Sequence, residues 1–316
     1  GKDTICYPDN KGVSYVYASE GPSTYQWQVT GGEIAERDSD RRVVVNWQQQ
    51  GTNSIKVTET NQQGCTSDPV KKTVKVDLVK IRMKRVTTIK DKPGNIKVEW
   101  QVANKAFFDQ HQFLDKKSEP ENSWTNLAKY PNNVMSYKDA KVKTSQVPYN
   151  YRVHSANLCE DLISTNIHQS ILLTSEKPDE RSLKLAWTPY KGWGDNNVSE
   201  YRIFRRVNDK ETYDYNFVKS VSRDELKTNI ESTNSGYKQC YRVQAVNADN
   251  EAMVSWSNEI CRNFPAYIHV PNAFSPWDDN GVNDEFKAVT ANLQSFKMTI
   301  YTRWGERVFK SENPDE

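Results

Sequence analysis

Asp278, Asp279, Asn280 and Asp284 crowd four oxygen-bearing side chains into one short stretch, the kind of donor set that suits calcium. The spacing fails the EF-hand pattern, because Gly281 does not stand at the sixth place and no glutamate closes the loop. A turn in which Asn and Asp bond their own backbone accounts for the same residues and is the preferred reading. Calcium at Asp278, Asn280 and Asp284 remains the cofactor candidate, with none other expected. The histidines, His111, His154, His168 and His269, are far apart, and none forms a His-x-x-x-His or Cys-x-x-Cys arrangement, so zinc is not expected. His154 reads as a solvent-facing strand position. There is no Gly-x-Ser-x-Gly, P-loop or dinucleotide fingerprint, and no pair of carboxylates stands out for acid–base work. The expectation is a protein that is not an enzyme.

Cysteine placement suggests covalent staples instead. Cys6 precedes the first strand-like segment and Cys65 closes the same region, so the two are expected to pair. Cys240 and Cys261 flank two consecutive strands and form a second candidate pair, which leaves Cys159 odd. Two bridges imply an oxidising compartment such as the periplasm or cell surface.

The 43 basic and 41 acidic side chains nearly cancel, giving +2, which argues against a dedicated nucleic-acid binder. No apolar run approaches the roughly 18 residues that cross a bilayer, so no membrane span is expected. The chain begins Gly1-Lys2-Asp3 without a charged and then apolar leader, which reads as a mature or partial sequence. Residues 70–97 hold ten Lys or Arg against Asp77 and Asp91 only. Polyanion or lipopolysaccharide contact is one reading; the favoured one is a solvated strand face guarded against edge pairing, because in Lys80-Ile-Arg-Met-Lys charge alternates with apolar side chains. Trp193 and Trp277 are loop aromatics able to stack on a sugar or to cover their own domain's end.

The elements that must carry these groups read as β throughout. Residues 43–47, 54–58, 97–100, 183–187 and 241–246 are short apolar-alternating runs separated by turn residues. Only Ala103–Leu114 leans toward helix, and it is short enough for a strand connection. In the first region Tyr25, Trp27 and Val29 share a sheet face and Gly31-Gly32 makes the turn. Downstream, Trp100 precedes Tyr151 as Trp187 precedes Tyr241 at nearly equal spacing, an internal repeat.

Near the end, Pro271-Asn272-x-Phe274-x-Pro276, then Gly281-x-Asn283-Asp284-x-Phe286, then Ile300-Tyr301-x-Arg303-Trp304-Gly305-x-x-Val308-Phe309 form the most specific pattern in the chain. From composition alone the last part is a β-hairpin with Arg303-Trp304-Gly305-Glu306 in the turn. The pattern resembles the start of the gliding-motility-associated C-terminal domain of Bacteroidetes, the type B sorting domain of the type IX secretion system. It departs in the acidic turn, where Trp277-Asp278-Asp279-Asn280 replaces a shorter Asn-Gly-Asp, and it covers only about the first half of such a domain. Residues 1–78 are similar to PKD-like immunoglobulin-fold domains. Residues 79–175 and 176–266 resemble fibronectin type III domains, with Tyr151 and Tyr241 at the tyrosine-corner position and linkers at 175–179 and 263–266.

The expected architecture is therefore all-β: tandem sandwiches followed by residues 267–316 as the first part of a sorting domain. The resemblance implies a cell-surface, outer-membrane-associated or secreted protein, exported by way of the periplasm. It implies the type IX translocon and SprF/PorP-like outer-membrane barrels as partners, with roles in gliding or adhesion. Alternatives are a carbohydrate-binding adhesin and the non-catalytic part of a larger secreted enzyme.

Overall fold

The computed structural model describes all residues except 20, 40, 105–110, 122, 132, 177–181, 195–196, 208–213, 232–235, 276–284, 294 and 314–316. Among the described residues every regular element is a strand, and no helix is long and apolar enough to cross a membrane. By compactness the chain divides into two units. One holds Gly1–Val86, Lys97–Asp139 and Tyr149–Gln169; the other holds Thr87–Ile96, Ala140–Pro148 and Ser170–Glu316.

In the first unit, strands β1 (Thr4–Cys6), β2 (Val13–Val16), β3 (Ser23–Thr30), β4 (Gly32–Ser39), β5 (Arg42–Trp47), β6 (Gly51–Asn61) and β7 (Val70–Asp77) build two facing sheets, ordered β1-β7-β6-β3 and β2-β5-β4. Period-two alternation sends Val43, Val45 and Trp47 inward, each fully buried, against Tyr15, Trp27, Ile55, Val57, Val74 and Val76. The Trp47 indole N–H donates to the Tyr15 hydroxyl at 3.1 Å, and that hydroxyl donates to the Lys2 carbonyl at 3.1 Å, so no polar edge is buried unpaired. Gly31 makes the turn between β3 and β4 at φ +83, where a Cβ would stand 1.7 Å from Asn53 Oδ1.

Next come β8 (Lys80–Thr88), β9 (Asn95–Ala103), β10 (Gln112–Ser118), β11 (Thr125–Tyr130), β12 (Ser136–Ala140), β13 (Tyr149–Ala156), β14 (Leu162–Ser164) and β15 (His168–Gln169). They form a three-stranded sheet, β12-β9-β8, and a five-stranded one, β11-β10-β13-β14 with β15 also on β13. The segment with helical leaning is not helix where it is described: Ala103 ends β9, Gln112 starts β10, and 105–110 lie outside the described residues.

The second unit contains β16 (Leu173–Glu176), β17 (Ser182–Trp187), β18 (Val198–Val207), β19 (Asn216–Ser222), β20 (Lys227–Glu231), β21 (Lys238–Asn247), β22 (Val254–Trp256) and β23 (Ile260–Asn263). Their sheets are β16-β17-β20 and β19-β18-β21-β22, with β23 also on β21. Trp187 and Tyr201 pack at 5.6 Å between ring centres inside this core. Two expected linkers are structured where they are described, 177–179 lying outside the described residues. Ser175 and Glu176 belong to β16, opposite Leu185 and Lys184, and Phe264, beyond β23, is fully buried in the core. The tyrosine-corner expectation also needs correction. Tyr151 and Tyr241 are buried as expected, but their hydroxyls meet side chains, Asp139 Oδ2 at 2.7 Å and Gln239 Oε1 at 2.9 Å, rather than upstream backbone.

The chain ends in two ribbons, β24 (Tyr267–His269) with β25 (Val289–Ala291), and β26 (Met298–Tyr301) with β27 (Arg307–Ser311).

The cysteines correct the expected pairing. Cys6 bonds Cys159, not Cys65, which is exposed and free. The reason is strand direction. Cys6 aligns with Asp77, next to the Gly51 end of β6, whereas Cys65 follows the Asn61 end, about 30 Å away at a strand's rise per residue. Cys240 and Cys261 face each other across β21 and β23 and are joined.

Candidate functional site

The terminal hairpin is made by its turn. Gly305 takes φ +87, the Gly305 N–H donates to the Thr302 carbonyl at 3.0 Å, and the Thr302 N–H donates to the Glu306 carbonyl at 2.7 Å. The Thr302 hydroxyl oxygen accepts from the backbone N–H of Glu306 at 3.2 Å and of Trp304 at 3.3 Å. This holds Arg303 and Trp304 at the tip, with the guanidinium 4.4 Å from the indole centre. Trp304 is 81% exposed, and Tyr301 and Val308 are about equally open at 59% and 60%. On the other face Ile300 and Phe309 are cross-strand partners, and with Glu285, Phe286 and Lys287 they line an open hollow of about 480 Å³. Phe286 packs against Phe274 at 5.6 Å.

The structure thus gathers Phe286, Ile300 and Phe309 of the sequence pattern, sets Phe274 beside Phe286, and displays Tyr301, Arg303, Trp304 and Val308 around Gly305. Pro271 is half-buried and Asn272 is exposed. Pro276, Gly281, Asn283 and Asp284, together with Trp277 and the calcium candidates Asp278, Asp279 and Asn280, lie outside the described residues. Exposed ion pairs flank the hollow: Lys287 holds the Glu285 carboxyl below its ordinary range, and Lys310 does the same for Glu312.

Elsewhere among the described residues, polar side chains cluster within the sandwiches. Among the described residues one trio, Cys240, Glu259 and Cys261, brings metal-type ligand atoms together, and its two sulfurs are bonded to each other. Beside it Arg206 Nη2 lies 2.8 Å from Glu259 Oε1, and the Tyr215 hydroxyl donates to the same oxygen. Burial pushes the Tyr215 hydroxyl up to about 12, against the opposing pull of Arg242. Arg242 is 1% exposed and donates to Thr88 Oγ1 at 3.1 Å and to the Lys90 carbonyl at 3.2 Å. Sequence reasoning did not single out this arginine, because Tyr-Arg-Val-Gln-Ala-Val fits an ordinary alternating strand. The available signal is that apolar or aromatic residues flank it on both sides, in a strand buried on both faces.

The structure decides between the two readings of Trp193 and changes the one of His154. Trp193 leans on Tyr190 at 4.2 Å between ring centres and packs on the core of the second unit, so it covers the end of its own domain. His154 is half-buried rather than solvent-facing, stacked on Phe113 at 5.2 Å with Nδ1 3.1 Å from Asp115 Oδ2. Asp115 also takes Arg152 Nε at 3.0 Å and Asn126 at 3.1 Å, so its carboxylate is the hub of the group, which holds no nucleophile.

With this geometry in place, comparison with known proteins bears on the terminal segment. Residues 268–316 match the family described as CHU_C Type IX secretion signal domain. The segment is similar to a type IX secretion signal. Such a signal implies export, to the cell surface or beyond it, and interaction with the secretion system. No curated protein matches the chain. Among solved structures it is similar to the crystal structure of chicken CNTN1 FN1-FN3 domains, at 14% identity over 80% of this chain and 94% of that one, with a TM-score of 0.26.

Proposed function

We propose that this chain is a non-enzymatic surface or envelope protein whose terminal segment addresses it to the type IX translocon. The observation that carries this reading is the match of residues 268–316, in a segment that turns Trp304, Tyr301 and Val308 outward around a rigid turn. Apolar side chains held in solvent are what a docking partner would cover. Two disulfides fit a route through an oxidising periplasm. In this reading the PKD-like region 1–78 and the type III-like regions 79–175 and 176–266 space the molecule from its anchor, and SprF/PorP-like barrels receive residues 267–316 during gliding or adhesion.

Deletion of residues 267–316 tests the address. The truncated protein should accumulate in the periplasm; its unchanged appearance at the cell surface by protease shaving would refute the assignment. The adhesin alternative loses its particular residue, since Trp193 is turned onto Tyr190.

A further inference from the structure

The outer face of the sheet β1-β7-β6-β3 carries ammonium groups and no carboxylate. Along β6, Gly51, Asn53, Ile55 and Val57 are buried, so Thr52, Ser54, Lys56 and Thr58 point the other way. Register extends that parity to the neighbours. Lys56 lies between Gln28 on β3 and Lys71 on β7, and Thr52 lies opposite Lys75. The two acids of these strands leave the face: Glu59 has inward parity and accepts from Ser19 Oγ at 2.6 Å, and Asp77 is 1% exposed. Every other outward position described on the four strands is Thr, Ser or Gln, apart from Cys6, which lies opposite Asp77 and is buried by its bond to Cys159.

Two features separate this face from an ordinary solvated surface. Lys56 and Lys71 are direct cross-strand partners, an arrangement of like charges that destabilises a sheet. Edge protection does not account for Lys56, because β6 is an interior strand with β3 on one side and β7 on the other. Lys75 lies about 13 Å from Lys71 along the strand. The result is a triangle of point charges set among hydroxyls and amides.

We propose that this face binds a carboxylate-bearing polysaccharide, with Lys56, Lys71 and Lys75 on the carboxylates and Thr and Gln side chains on sugar hydroxyls. The inference is independent of the export reading, since it concerns a different region and a different partner. The chemistry selects the occupant. The face has no aromatic platform for bases, no arginine fork for phosphate and no apolar side chain for insertion into a bilayer.

The experiment uses the full chain on immobilised polygalacturonate, with dextran as the neutral control and vesicles containing phosphatidylglycerol as the lipid control. Retention on polygalacturonate alone is expected, weakening about tenfold or more between about 50 and about 200 mM salt. The combined change Lys56→Gln, Lys71→Gln and Lys75→Gln should weaken binding about tenfold, the yield of three modest exposed ion pairs. Arginine at the same three positions should restore it. An equal change of net charge at Lys184, Lys219 and Lys227 should leave binding within about twofold. Thermal melting guards against misfolding: relief of the Lys56–Lys71 repulsion leaves the glutamine variant at least as stable as the parent. No retention, retention on dextran or on vesicles instead, or equal losses in both glutamine sets would overturn the proposal.

Discussion

The first sandwich and the terminal ribbons use the same residue types in opposite ways. In residues 4–77, Val43, Val45 and Trp47 are sealed from solvent, whereas in residues 267–311 Tyr301, Trp304 and Val308 are more than half exposed. Both segments alternate with period two. What differs is a second layer: β5 faces a four-stranded sheet, while β26 and β27 pair only with each other among the described residues. Alternation therefore makes a strand, and a facing sheet makes a core. A segment with the first and without the second displays its apolar side chains.

The strongest way to break this contrast is to cut the covalent link of the first unit. Cys159→Ser opens a bridge between residues 153 apart, and chain entropy puts the loss at about 5 kcal/mol. Denaturant unfolding should show it, and non-reducing peptide mapping of the parent should find Cys6 joined to Cys159, with Cys65 open to alkylation. A Cys6–Cys65 peptide would contradict the fold. Next in size is Trp47→Ala, expected to cost about 3 to 5 kcal/mol by leaving a cavity and removing the indole's hydrogen bond to the Tyr15 hydroxyl. Equal losses from Trp47→Ala and Trp304→Ala would erase the distinction between the two regions.

A smaller effect comes at alkaline pH. Burial raises the hydroxyls of Tyr151, Tyr201 and Tyr241 above their ordinary value of 10, and that of Tyr215 to about 12. A raised value stabilises the fold fully below pH 10, and the contribution is lost as pH climbs through the folded-state value. Melting temperature should therefore fall above pH 10, and Tyr215→Phe should flatten the part of that fall lying between pH 10 and about 12. The smallest stability change is Trp304→Ala, under about 0.5 kcal/mol, because an exposed side chain at a turn tip leaves no cavity. If that substitution abolishes surface display without moving the melting curve, the ribbon's apolar face is there for a partner.

The legible parts of the chain were those set by local rules. Period two placed β5, β6, β9, β17 and β21, and Gly31 and Gly305 marked turns that need positive φ. Cys240 and Cys261 sit on strands near in sequence that pair directly, so their bond follows from a hairpin-scale argument. Cys6 needed the parallel placement of β1 on β7 and a partner in a different sandwich, which no local pattern encodes. Arg242 was not singled out, because an Arg between apolar neighbours fits an ordinary alternating strand, and the covering of both faces of β21 is a tertiary fact. Lys56, Lys71 and Lys75 each look unremarkable alone, and they become one surface only when the register is known.

The Cys6–Cys159 bridge also sets how the molecule answers a pull. Tension applied outside the two cysteines passes through one sulfur–sulfur bond and bypasses everything between them. About 500 Å of backbone, the stretched length of the intervening chain, stays out of reach of the load. Under such a load that segment would hold its shape while the hydrogen-bonded sandwich after it is left to yield first.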